Sequence, residues 1–380
     1  MTARFVQIHA FLSYSAALLN RDDSGLAKRM PFGSAMRTRV SSQCLKRHWR
    51  MADGPWALST IGPEMAVRSR KLPEERILPA ILDVGTEAIR KAVTDALAVQ
   101  LYGKNAAKDA GSRQALLIGE PEIAYLIDKA RQAASEPDDK AAAAAIETLF
   151  KKDEKANLSE MLKAKGTLNA GLEAALFGRM VTSDPDANTD APVHVAHAFT
   201  VHGEQSEIDY FTVVDDLETG TGAGGIFDTE LTAGLFYVYV VIDVPLLTAN
   251  LGGDAALAGK VVEHLIHLIA TTSPGAKKGS TAPYAYADFV LVETGDRPPR
   301  SLSGAFRDPV VPSVDEAAKA LRRQLGKLDR MYGAGETRRL AALDEIPAEN
   351  GGPVTDTPIP APMPLAELAA AVAAEIAAGV

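Results

Sequence analysis

The chain has 380 residues, 47% hydrophobic and 23% charged, with a formal net charge of −9 and one cysteine. That length and balance fit one large or two ordinary globular domains. The single Cys44 excludes an internal disulfide framework and any cysteine-rich metal site. The run ARFVQIHAFLSY is too mixed for a secretory signal, and the most apolar stretch, 235–247, is broken by Asp243 and Pro245. A cytoplasmic protein with no membrane partner is therefore expected.

In chain order, residues 5–14 alternate loosely and predict a first strand. Residues 20–50 follow, NRDDSGLAKRMPFGSAMRTRVSSQCLKRHWR, with eight Lys/Arg, Lys28 among them, and two Asp, so the window carries +6 and the remainder −15. An acidic chain that gathers cations in one segment presents them to an anion. Arg37 and Arg39 alternate ahead of Val40, as on one face of an extended segment. Ser41 or Ser42 is placed to cap a helix beginning near Gln43. On that helix Gln43, Lys46, Arg47 and Arg50 recur at spacings of three and four and share a side. Helix-start amides, hydroxyls and guanidinium groups together form a phosphate site, and several in a row suit a phosphodiester backbone of RNA or DNA. The competing reading is a solvated helix face with ordinary capping. Cys44 lies among these cations, which can lower a thiol pKa, or it is a small buried apolar residue.

Residues 56–176 change texture, being rich in Ala, Leu, Lys and Glu. Helical patterns near 81–102, 122–134, 140–150 and 158–177 predict a helical insertion with its own small core. Strand-like text resumes at 178–182 and 197–211. The segment ETGTGAGG, 218–225, reads as the tip of a hairpin between His202 and Thr232. The run LTAGLFYVYVVIDV, 231–244, is rich in β-branched and aromatic residues and predicts a strand. A helix at 254–272, a strand at 287–293 and a helix at 313–332 follow. Residues 351–364 are proline-rich and predict an extended linker, and the Ala-rich tail from Leu365 predicts a last helix that docks or frays. The class is α+β, a modest sheet core interrupted by a helical block and a hairpin.

Other constellations carry less. His194/His197 and His264/His267 make two HxxH spacings, but without the acidic base of a zinc protease motif or any cysteine support, so they read as core or surface histidines. Gly220–Gly225 lacks the Lys-Ser/Thr of a phosphate loop. Asp215, Asp216 and Glu218 could hold Mg²⁺ for phosphodiester cleavage, meet a neighbour's basic patch, or solubilise a turn. Tyr210 and Phe211, on the strand toward the tip, can stack on single-stranded bases or belong to the core. Lys277 and Lys278, on a Gly/Ser/Pro loop, form a second small basic site. No metal, cofactor or catalytic residue is expected.

A set of motifs occurs in order: NRDD at 20–23, FGSAMRTRVSSQCLKRHWR at 32–50, GRMVTS at 178–183, VAHAFTVH at 195–202, DYFTVVDDL at 209–217, LFYVYV at 235–240, NLGGD at 250–254 and PGAKKGSTAPYAYADFVLV at 274–292. Together they resemble the CasC family, the repeated backbone subunit of the type I-E CRISPR surveillance complex Cascade. The resemblance implies an RRM-like (ferredoxin-like) palm at 1–55 and 178–345, a helical finger domain at 56–177, and a β-hairpin thumb at 200–232. A linker and C-terminal helix then occupy 346–380. It implies a non-enzymatic scaffold on CRISPR RNA, with copies stacked head to tail into a helical filament, other Cascade subunits as partners, and the guide presented to target DNA in antiviral defence. It places guide-backbone contacts at Arg21, Ser42, Gln43, Lys46 and Arg50. Residues packed around the guide and the thumb's kink fall at Met180, Tyr210, Phe211, Thr212 and, nearer the tip, Ile226. Where the family often has Arg, this chain has Val238. The rival expectation is an RNA-guided endoribonuclease using Asp215 or Asp216 with Mg²⁺.

Overall fold

The β-branched and aromatic text folds into a nine-stranded sheet. The computed structural model describes residues 3–106, 109–150, 166–181, 185–214, 225–345 and 359–379. Its sheet comprises β1 (Phe5–Ala17), β2 (Arg29–Phe32), β3 (Ala35–Val40), β6 (Val193–Val195), β7 (Ala198–Thr200), β8 (Ser206–Val213), β9 (Gly225–Asp243), β10 (Ala287–Gly295) and β11 (Thr337–Ala342). The strand order is β11–β10–β1–β9–β7–β3–β2, with β6 and β8 also paired to β9. At the centre Ile8 of β1 lies opposite Val240 of β9 and Val292 of β10, both pairings antiparallel.

Alternation along β9 builds two cores, because successive side chains point to opposite faces. Tyr237, Tyr239 and Val241 join Phe11, Phe289, Phe306, Leu321 and Leu325 on one face. There the sheet is covered by α6 (Val314–Tyr332). Phe236 and Val238 meet Leu12, Leu45, Trp49 and Ile269 on the other. Val238 is thus a core residue. The covering helices on that side are α1 (Ser42–Arg50) and α5 (Ala255–Thr271), and α7 (Leu365–Ala377) packs along α5. The tail therefore docks. Its close approach depends on Gly259, where a Cβ would lie 2.6 Å from the Ala373 carbonyl oxygen.

The chain divides into two compact units, Met1–Thr60 with His194–Val244 and Ala255–Val380, and Ile61–Val193 with Pro245–Asp254. The second contains a two-stranded antiparallel sheet, β4 (Ala66–Ser69) and β5 (Leu116–Gly119), with α2 (Glu87–Tyr102), α3 (Glu120–Ala134) and α4 (Asp139–Leu149). Thr86 caps α2 by accepting from the Ile89 amide, and Asp138 caps α4 by accepting from the Ala141 amide. Its core gathers Val93, Leu97, Ile123, Leu126 and Ile146. A buried bidentate pair fixes its end, with Arg179 Nη1 and Nη2 2.6 and 2.7 Å from the Glu122 carboxylate. Of the helix expected at 158–177, residues 158–165 lie outside the described residues, and Leu172–Phe177 is helical.

Candidate nucleic-acid interface

The basic window builds its own platform. Ser41 caps α1, its hydroxyl accepting from the Cys44 amide at 3.3 Å, while its own amide donates to Asn20 Oδ1 at 2.9 Å. The Lys28 amide donates to the Asn20 carbonyl at 2.9 Å, so the NRDD segment is tied to the start of the helix. Asp22 is spent on the turn itself, accepting from the Ser24 and Leu26 amides, both at 3.0 Å. Helix α1 buries Leu45 and Trp49, leaves Gln43 and Arg47 exposed, and holds Ser42, Lys46 and Arg50 half-buried. Burial lowers the Lys46 pKa. Burial raises that of the Cys44 thiol, outweighing Lys28 and Arg47, so Cys44 is not an activated thiol.

Not every cation of the window faces outward. Arg37, read from the sequence as sharing one face with Arg39 at the anion site, is fully buried. Its guanidinium donates to the carbonyls of Phe32, Thr200 and Phe306 at 3.4, 3.2 and 2.8 Å. It is an internal strut, removed from the candidate surface. Arg29 is engaged by Glu204 and Glu230. Arg39 donates to the Arg29 carbonyl and to His197 Nδ1, each at 3.2 Å.

Depressed histidine pKa values trace the outward-facing cations. His197 is lowered by burial and then by Arg39 and Lys28. His48 is lowered by burial and, more weakly, by Lys278 and Arg47. Geometry places these cations in two pairs: the Arg39 amide donates to the Lys28 carbonyl at 2.8 Å, and Arg47 and Lys278 line one cavity, so together they form a basic face. Arg21 is exposed on the same 20–28 loop.

The basic face borders a cavity of about 730 Å³ lined by Arg47, His48, Met51, Asp53, Trp56, Leu268, Lys278, Tyr284 and Tyr286, among others. Lys277 points the other way, toward the β8–β9 hairpin, donating to Thr229 Oγ1 and lying 5.8 Å from the Phe211 ring centroid. Phe211 stacks on Phe227 with centroids 5.7 Å apart. Tyr210 and Ile226 are 63% and 62% exposed, and Thr212 is also exposed. Tyr210 and Phe211 are thus on an exposed hairpin, outside the core. Met180, 63% exposed, belongs to the other unit.

His264 and His267 both serve Trp56. His267 stacks on its ring at 3.6 Å, and His264 Nδ1 lies 3.1 Å from its carbonyl oxygen. Among the described residues no group of three or more His, Cys, Asp and Glu is arranged to hold a metal ion, and no helix is long and apolar enough to cross a membrane. Asp215, Asp216 and Glu218 lie outside the described residues. Tyr284 and Tyr286 are not among the residues the sequence singles out. Their signal was present: two tyrosines spaced by two, just after a Lys-Lys pair on a Gly/Ser/Pro loop.

Residues 6–363 match the family described as CT1975-like protein. One chain of a solved "CRISPR RNA-guided surveillance complex, pre-nicking" is similar over 98% of this chain and 100% of its own, with 27% identity and a TM-score of 0.77. A chain of another "CRISPR RNA-guided surveillance complex" shares the fold at 22% identity and a TM-score of 0.58, covering 97% of this chain and 99% of that one. No curated protein is significantly similar.

Proposed function

The chain belongs to the CT1975-like protein family, and on that premise we propose that it is a scaffold subunit of a Cascade-type CRISPR surveillance complex that grips single-stranded guide RNA by its backbone. The observation that carries this is the basic face of Arg39, Lys28, Arg47 and Lys278 beside a Ser-capped helix, in a chain similar over nearly its whole length to one from such a complex. Cations, hydroxyls and helix amides hold phosphates without reading sequence. Base pairing between guide and target DNA then supplies specificity.

Finer features belong to the same reading. The segment order β1–α1–β7–β9–α5–β10, with sheet order β10–β1–β9–β7, supports a ferredoxin-like palm. In it the unit around α2–α4 is the finger domain and the β8–β9 hairpin the thumb. The type I-E assignment, head-to-tail copies along the guide, other Cascade subunits as partners and the absence of catalysis complete the proposal. A heterologous contact of this kind generates an open helix. The test is to purify the full chain from cells carrying its CRISPR locus and size the nucleic acid that comes with it. RNA of uniform length is expected; protein free of nucleic acid, or carrying random fragments, contradicts the reading. Adding complementary RNA and Mg²⁺ to that complex tests catalysis, and cleavage lost on Asp215→Ala or Asp216→Ala would establish the nuclease instead.

A further inference from the structure

We propose that the cavity beside α1 holds one unstacked nucleotide of single-stranded RNA, its base on Tyr284 and Tyr286 and its phosphate between Arg47 and Lys278. This rests on the guide-binding reading above and adds to it a base-binding site.

The cavity, at about 730 Å³, falls inside the roughly 300–1,000 Å³ range of small-ligand sites. Its rings are unusual in being offered to solvent: Tyr284 is 71% and Tyr286 75% exposed. Both tyrosines line the same cavity, on the segment that leads into β10. The backbone between the two tyrosines is held in place. Ser273 Oγ donates to the Ala285 carbonyl at 3.0 Å and accepts from the Ala285 amide at 2.9 Å, between the two rings. Ahead of it Ala282 adopts a left-handed φ of 41°, a conformation costly for a residue with a Cβ, which turns the chain from the lysines toward the tyrosines.

Charge completes the chemistry. Lys278 Nζ lies 5.9 Å from the Tyr284 ring centroid, and Arg47 lines the same cavity. One carboxylate, Asp53, is set against these two cations, leaving the rim net positive. Trp56 is occupied on one face by His267 and serves as a wall. Two solvent-exposed rings beside two cations match a base joined to a phosphate, since every base has a face to stack and stacking tolerates any sequence.

The experiment uses the full chain and two oligoribonucleotides of equal length, one ordinary and one with abasic positions throughout its centre. Tyr284→Ala/Tyr286→Ala is expected to bind ordinary RNA about five- to a hundredfold more weakly, to match the unchanged protein on abasic RNA, and to keep its salt slope and melting temperature. Tyr284→Phe/Tyr286→Phe is expected to restore binding. Unchanged affinity for ordinary RNA, or an equal loss on both RNAs, overturns this inference while leaving backbone binding intact. A photo-cross-link from this cavity to a protein partner but never to RNA overturns it as well. If the unchanged protein binds neither RNA, the scaffold reading itself fails.

Discussion

Arg37 and Arg47 show how two cations of one segment take opposite work. Removing Arg37 leaves three carbonyls without their donor and a void beneath the sheet, a loss on the order of 3 kcal/mol. Arg37→Ala should therefore lower the melting temperature sharply. Arg47→Ala should leave melting unchanged and weaken RNA binding, reducing the salt slope by roughly 0.7 if one phosphate contact is lost. Calorimetry and titrations at several salt concentrations check both; a melting loss for Arg47→Ala would mean that α1 is held by charge and not by Leu45 and Trp49. Counting charges could locate the basic window but could not say which guanidinium points inward. His9 carries a pH prediction. It is fully buried, 2.8 Å from Tyr237 Oη and 3.2 Å from Glu293. Burial lowers its pKa from the ordinary 6.5, against the opposing pull of Glu293. Burial alone would raise Glu293, yet His9 and Arg300 hold it well below its ordinary 4.5. In both cases the unfolded chain takes up protons that the folded chain does not, so stability is full near neutrality. It falls below about pH 6.5 through His9 together with His48, His197, His202 and His267, all lowered by burial, then below about pH 4.5 through Glu293. The slope of melting temperature across pH 5–7 should be smaller in His9→Gln; an unchanged slope would assign the acid sensitivity to the other histidines.

At the scale of elements, strong local signals were legible and short ones were not. The long β9, the capped α1 and the helices α3 through α6 were readable from β-branched runs, a Ser cap and helical spacing. By contrast β2, β4, β5 and β11 have four, four, four and six residues, too few for alternation to register. Pro31 and the paired Arg338–Arg339 further blurred β2 and β11. The serine placement on α1 was legible, but the choice between Ser41 and Ser42 needed the observed bond. Ser41→Ala should cost about 1 kcal/mol by releasing the Cys44 amide, whereas Ser42→Ala should cost little stability. Denaturant titration of the two variants decides between them. Packing of α7 on α5 was the part sequence could not settle, because it depends on one missing Cβ. Gly259→Ala would bring a methyl to 2.6 Å from the Ala373 carbonyl, so α7 should release and its residues become sensitive to limited proteolysis. Protection equal to that of the unchanged protein would contradict this packing.

For the whole molecule, charge is divided: +6 in residues 20–50 and −15 elsewhere. On the proposed reading the acidic remainder repels stray polyanions and the basic window meets the guide. If about five phosphates are neutralised per subunit, log affinity should fall with log salt at a slope near −3 to −4 for single strands. The exposed β8–β9 hairpin, with Tyr210 and Ile226 directed to solvent, leaves apolar area for a second copy or for the guide to cover. Both features suit the proposed subunit, which RNA and further copies of the chain would complete. The most direct measurement is the mass of the assembly, by light scattering, on single-stranded RNAs of increasing length at fixed protein excess. Mass should rise in equal steps, one subunit for each fixed increment of RNA. A mass that stays constant as the RNA lengthens would contradict a scaffold that extends along its guide.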